Sequence, residues 1–133
     1  MGATIKVTIE IPDEALDGIL STFVEGGLYW ARGRGYRWNG CPAEVTLLPA
    51  SDYVGLKDGT RPVRARHHVT RATIARGLCE LASARTCKDL AWNAKDRGRV
   101  LGELRTDPAT PDLDASDADC IVQLGLFGRV VFG

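Results

Sequence analysis

The chain has no excess of charge, no long apolar run and no close cysteine pair, and each absence removes a class of protein. Lys plus Arg and Asp plus Glu stand at 17 each in 133 residues, so the formal net charge is zero. A whole-molecule mimic of DNA would be strongly acidic, and a general phosphate-backbone binder needs net or patched positive charge. No segment approaches the roughly 20 apolar residues of a membrane span. Met1–Lys6 does not read as a signal peptide, because Thr4–Glu10 alternates apolar and polar residues. Gly2 follows Met1, but Lys6 stands where a myristoylation signal wants Ser or Thr. The expected location is cytoplasmic, the host cytoplasm if a phage encodes the chain, with no membrane partner.

Cys41, Cys79, Cys87 and Cys120 are widely and irregularly spaced, without a C-x-x-C pair. Free thiols are the expectation for such a cytosolic chain. His67 and His68 are adjacent, and neighbours on a strand point to opposite faces, so they seldom ligate one ion together. No metal and no cofactor are expected. There is no P-loop, dinucleotide fingerprint, H-E-x-x-H or G-x-S-x-G. Gly33-x-Gly35 alone identifies nothing, and no catalytic residue can be named. Repeats and heptad arrays are absent as well.

What remains is an ordinary globular composition, 44% apolar and 26% charged, at a length that fits one domain over residues 1–133. Ile5, Val7, Ile9 and Ile11 alternate with Lys6, Thr8 and Glu10, the pattern of a half-buried strand in an antiparallel sheet. Pro12-Asp13-Glu14 opens a helix whose stripe is Leu16, Ile19, Leu20, Phe23 and Val24. Gly26-Gly27 should end it as a left-handed cap. Tyr29–Trp38 is a short strand or a loop, and Glu44–Leu48 is a strand stopped by Pro49. Asp58-Gly59 signals a turn. Val63, Ala65, His67 and Val69 make one strand face, and Arg64, Arg66 and His68 the other.

Thr70 can cap a second helix, with Val69 and Ile74 at hydrophobic-staple spacing and Ile74, Leu78, Leu81 and Ala82 as its buried stripe. Gly77 in its middle costs about 1 kcal/mol against Ala, which points to a neighbour packed close. Lys88–Arg97 reads as a short helix, and Thr106–Ala115 as a linker. Ser116 can cap a final helix. Cys120, Ile121, Val122, Leu124, Leu126 and Phe127 cover most of its sides, so it belongs at the centre. Gly128 can end it, and Val130–Phe132 can add an edge strand able to pair with a second copy. The expected fold is α+β: a small, mainly antiparallel sheet with helices packed on one face.

Two segments carry the candidate binding surface. Glu25-Gly26-Gly27-Leu28-Tyr29-Trp30 sets two aromatics after two glycines, a place where a backbone or a flat ligand can approach. Ser116, Asp119 and Gln123 share one face of an otherwise apolar helix. They form either a polar seam for a ligand or partner, or hydrogen-bonding groups that satisfy a nearby loop. Asp117 and Asp119 near the helix start, with Glu25, offer an acid/base cluster if they converge, although the helix dipole alone favours acids there. Arg32, Arg34 and Arg37 interleave with Tyr29, Trp30, Tyr36 and Trp38, a pattern found in single-strand nucleic-acid binding. The nearby acidic residues Asp107, Asp112, Asp114, Asp117 and Asp119 could instead neutralise these arginines.

Glu25-Gly26-Gly27 leading into Tyr29-Trp30, together with Asp117-Ala118-Asp119-x-x-x-Gln123-x-x-x-Phe127-Gly128-x-Val130-Val131-x-Gly133, resembles a family of small phage and prophage proteins of unknown function. Relatives often place two residues between the glycine and Tyr-Trp pairs, where this chain has only Leu28. The resemblance implies mobile-element origin and, by analogy of setting, an accessory protein that inhibits a host defence system by binding a host protein or small ligand. The alternatives are a small carboxylate-based enzyme acting on a nucleotide-like substrate and a single-stranded nucleic-acid module. A last expectation is that the two end segments pack together, with Gln123 facing Gly26-Gly27.

Overall fold

The computed structural model describes residues 2–38, 42–49, 66–83 and 86–132. Cys41, the turn at Asp58-Gly59, Arg61, Val63, Arg64, Ala65 and Gly133 lie outside the described residues.

Helix α1 (Asp13–Thr22) starts where Pro12 sets an extended entry and Asp13 and Glu14 fill the first turn, as acids near a positive helix end should. It buries Leu16, Ile19 and Leu20, and Phe23 beyond it is fully buried. The chain then loosens into one π turn, Phe23–Gly27, and leaves through Leu28 in an extended conformation. The expected left-handed cap at Gly26-Gly27 is therefore corrected. Among the described residues the left-handed glycines are Gly35 and Gly128. Gly26 instead permits close packing, since a Cβ there would meet Ala115 Cβ at 3.0 Å.

Strands β1 (Ala31–Arg37), β2 (Glu44–Pro49) and β3 (His67–Thr70) form an antiparallel sheet in the order β1-β2-β3. Arg32 faces Leu48, Arg34 faces Thr46, and Thr46 faces His68. Val45, Leu47 and Val69 are fully buried on the side that meets the helices. Between Arg34 and Arg37 the register shifts, with three residues of β1 spanning two of β2. Gly35, at φ 64°, supplies the left-handed residue of this bulge. The extra residue turns Tyr36 toward α1, where its hydroxyl donates to Ser21 Oγ at 2.8 Å.

Helix α2 (Arg71–Ala82) crosses α5 (Ala115–Phe127) at unusually short range. A Cβ at Gly77 would sit 2.1 Å from the Ile121 carbonyl oxygen, and one at Gly125 would sit 2.1 Å from that of Thr73. Each helix thus places a glycine against the other's backbone, four residues from the contact it receives. The neighbour expected at Gly77 is Ile121. Ile74 and Leu81 are fully buried, but Ala82, expected in the stripe, is exposed. The single helix expected over Lys88–Arg97 is two: α3 (Cys87–Leu90) stops at the left-handed Ala91, and α4 (Ala94–Thr106) restarts after Asn93, whose side chain accepts from Asp96 N–H.

Asp114, not Ser116, caps α5 by accepting from Asp117 N–H at 2.8 Å, while Asp117 returns a bond to Asp114 N–H. Helix α5 buries Ala118, Ile121, Val122 and Leu124 at the centre of the domain and ends at Gly128. Two strand expectations are corrected. Val130–Phe132 is irregular chain held by side-chain bonds from α5, so it is not an edge strand. The segment Thr4–Ile11 forms no strand either, and Ile5 and Val7 are 81% and 73% exposed. An alternating pattern needs a neighbouring strand to realise it, and no strand of the described residues lies beside this one. Among the described residues no helix is long and apolar enough to cross a membrane.

Candidate functional site

Trp30 enters the core immediately before β1 and is fully buried. Its ring stacks on Phe132 with centroids 4.8 Å apart and planes 14° apart, and meets Phe127 edge-on at 5.9 Å. A buried indole must place its N–H, and Trp30 Nε1 donates to Asp119 Oδ1 at 2.8 Å. The other carboxylate oxygen of Asp119 accepts from Gln123 Nε2 at 2.9 Å. Gln123 Nε2 also donates to the Phe132 carbonyl at 3.0 Å, and Gln123 Oε1 accepts from Val131 N–H and Phe132 N–H at 2.7 Å each. Both donors and both acceptor positions of the amide are occupied. Burial pushes the Asp119 carboxyl above its usual range, opposed by the hydrogen bonds from Trp30 and Gln123.

This relay joins the two end segments, as expected, but through Trp30 and Asp119 instead of Gln123 and the glycine turn. Gln123 serves the C-terminal backbone. Trp30, Asp119 and Gln123 have no face left for a partner, and Ser116 lies outside the relay on an exposed position. The binding surface expected at Trp30 and the polar seam is corrected accordingly: these groups are internal fasteners. Tyr29 is half exposed.

Asp117 belongs to a different set of contacts. The Arg99 guanidinium grips it with two nitrogens, one at 3.0 Å, and is pushed upward in pKa first by that bond, against burial. Glu25 is exposed at the π turn. Asp117 and Asp119 are thus committed to separate partners, which removes the basis for the acid/base cluster that convergence with Glu25 would have offered. Among the described residues no group of three or more His, Cys, Asp or Glu side chains could hold a metal ion. Cys79, Cys87 and Cys120 are free thiols, and burial, aided by Asp119 and Asp117, pushes Cys120 up to about 12.

The outer face of the sheet differs from this interior. Arg32 and Arg34 lie two residues apart on β1 and are exposed, and their side chains make no ion pair or hydrogen bond to a described residue. Arg66, just before β3, is in the same condition. Arg37 is not: its Nε lies 3.1 Å from Glu44 Oε1, and His68 Nε2 approaches the other oxygen at 3.5 Å. The acidic residues that could have neutralised these arginines are engaged elsewhere, with Asp107 holding Thr110 and Asp114 capping α5. Tyr29 and Trp38, each 50% exposed, bracket β1 at its two ends. Sequence patterning identified this arginine-aromatic run, but the Gly35 bulge, which withdraws Tyr36 to the helix side, had no specific signal beyond the glycine itself. Arg99 was not legible as the partner of Asp117. Comparison with protein-family models, curated proteins and solved structures finds no match for the chain.

Proposed function

We propose that this protein is a non-enzymatic accessory module of the phage or prophage type, acting in a host cytoplasm by binding an extended anionic partner across the outer face of its sheet. The observation that carries the reading is the pair Arg32 and Arg34, exposed on one strand face with no side-chain ion pair to a described residue. Single-stranded nucleic acid is the partner that the flanking aromatics favour. Guanidinium groups track phosphates, and rings stack on bases whatever the sequence. Zero net charge is compatible with a local patch of this kind, because short-range contacts at moderate salt depend on charges within about 10 Å.

The test is fluorescence anisotropy with a labelled single strand of about 15 nucleotides. The expected result is binding at low salt that falls as salt rises, since phosphate contacts release counterions. The double variant Arg32→Glu/Arg34→Glu should abolish it without changing the melting temperature, and Trp38→Ala should weaken it about tenfold or more. No binding at the lowest salt, or binding indifferent to charge reversal, overturns the nucleic-acid reading. An acidic surface on a host protein is the second reading, favoured by the same exposed arginines and by the family resemblance. It would stand if a host protein were retained by wild type and released by the charge-reversed variant.

A further inference from the structure

The segment Thr4–Ile11 has the alternation of a strand and the exposure of an arm. Ile5, Val7 and Ile9 are 81%, 73% and 37% exposed, the first two being the most exposed large apolar residues described. At its base the arm touches its own domain: Ile9 and Ile11 line an apolar groove of about 240 Å3 with Leu16, Leu78, Leu101 and Leu104. Ile5 and Val7, farther out on the same face, have no such seat.

We propose that this arm pairs with the same arm of a second copy, as a two-fold antiparallel ribbon centred on Thr8. The pattern selects both partner and register. With Thr8 opposite Thr8 of the second copy, Lys6 faces Glu10 and Glu10 faces Lys6, so two opposite-charge pairs form on the polar face. On the apolar face Val7 meets Ile9, and Ile5 meets Ile11. Ile5 and Val7 of each copy therefore lie beside the two residues that already occupy the other copy's groove. A shift of one residue would set Ile5 against Glu10 and mix the faces. A shift of two, centring the ribbon on Val7, would set Ile11 against Ala3 and oppose Lys6 to Thr8. Pro12 has no N–H and ends the pairing at the helix start. A free two-stranded ribbon is marginal in water, and the groove beneath it supplies the third layer. The interface is isologous, as a two-fold dimer requires.

The experiment is sedimentation equilibrium of the full chain and three arm variants, with melting curves as a folding control. Wild type should be a concentration-dependent dimer. Lys6→Glu alone and Glu10→Lys alone each convert both charge pairs to repulsions and should weaken dimerisation about tenfold. Lys6→Glu with Glu10→Lys should restore it. Both side chains are exposed, so the melting temperature of the monomer should not move. A wild type that stays monomeric overturns the inference. So does a dimer indifferent to the single changes, or one not restored by the double exchange. The readout uses no nucleic acid, so its failure leaves the sheet-face reading standing and vice versa.

Discussion

Arg71, Arg97 and Arg99 on the helices each close on oxygen atoms of their own chain, whereas the side chains of Arg32 and Arg34 on β1 meet none among the described residues. Arg71 donates twice to Asp17, at 2.8 and 2.7 Å, tying α2 to α1. Arg97 donates to the Leu81 and Ser83 carbonyls at the end of α2, where a helix leaves acceptors over. Arg99 holds Asp117 against α4. The same residue type thus serves cohesion in one layer and stands ready on the other. The difference is one of geometry: a helix end and the carboxylates of neighbouring helices surround the first group, while the outer sheet face offers Thr46 and Leu48 opposite the second.

The largest effect should come from the most completely used group. Gln123→Leu keeps the volume but strands the N–H groups of Val131 and Phe132 and leaves Asp119 with only Trp30. Buried polar groups left unpaired, one of them ionisable, cost about 3–5 kcal/mol. Chemical denaturation should show a loss of that size, with new exposure of Trp30 in its emission spectrum as the tail detaches. A loss below about 1 kcal/mol would mean that Gln123 is held more loosely than its four bonds imply. Gly77→Ala comes next. A methyl group 2.1 Å from the Ile121 carbonyl forces α2 and α5 apart, and overpacking of that kind costs about 1–3 kcal/mol despite the gain in helix propensity. Gly98→Ala in α4, where a Cβ would meet nothing, is the control and should stabilise slightly.

Asp17 extends the contrast to pH. The hydrogen bond from Arg71, helped by Ala43 N–H and opposed by burial, holds its carboxyl below the ordinary value. The folded state therefore favours the ionised form. That contribution is present above the unfolded-state pKa and is lost as pH falls through the folded one. Asp17→Asn should lower stability at neutral pH and flatten the acid limb of a melting-temperature profile. Asp119 has the opposite sign: raised by burial, it favours folding at low pH and loses that advantage as pH rises through its folded value. A profile unchanged by Asp17→Asn would show that Arg71 is no more committed than Arg34.

Legibility followed the range of the interactions. The stripes of α1 and α2, the Gly128 cap and the central place of α5 all follow from residues within a few turns of one another. Close approach at Gly77 was also readable, because a glycine amid helix formers needs a reason. The Trp30–Asp119 bond joins residues 89 apart, and no local pattern announces it. The two strand errors are of another kind. Alternation in Thr4–Ile11 specifies which edge of a segment is apolar, but not whether its neighbour lies in the same chain. Val130–Phe132 has strand composition, yet the Gln123 amide satisfies the N–H groups that a ladder would otherwise use.

The smallest stability effect is the most informative about the sheet face. Arg32→Ser and Arg34→Ser remove exposed groups that contact no described carboxylate, so each should change stability by no more than about 0.5 kcal/mol. Arg99→Ser should cost more than either, because it leaves the buried Asp117 without its charge partner. Measured by chemical denaturation under one buffer, the three variants rank the arginines by how far the fold depends on them. If Arg32→Ser were as costly as Arg99→Ser, the outer face would be part of the scaffold and the proposed partner would lose its site. If it is neutral, Arg32 and Arg34 present two guanidinium groups on one strand face that the fold does not depend on, as the proposed partner requires.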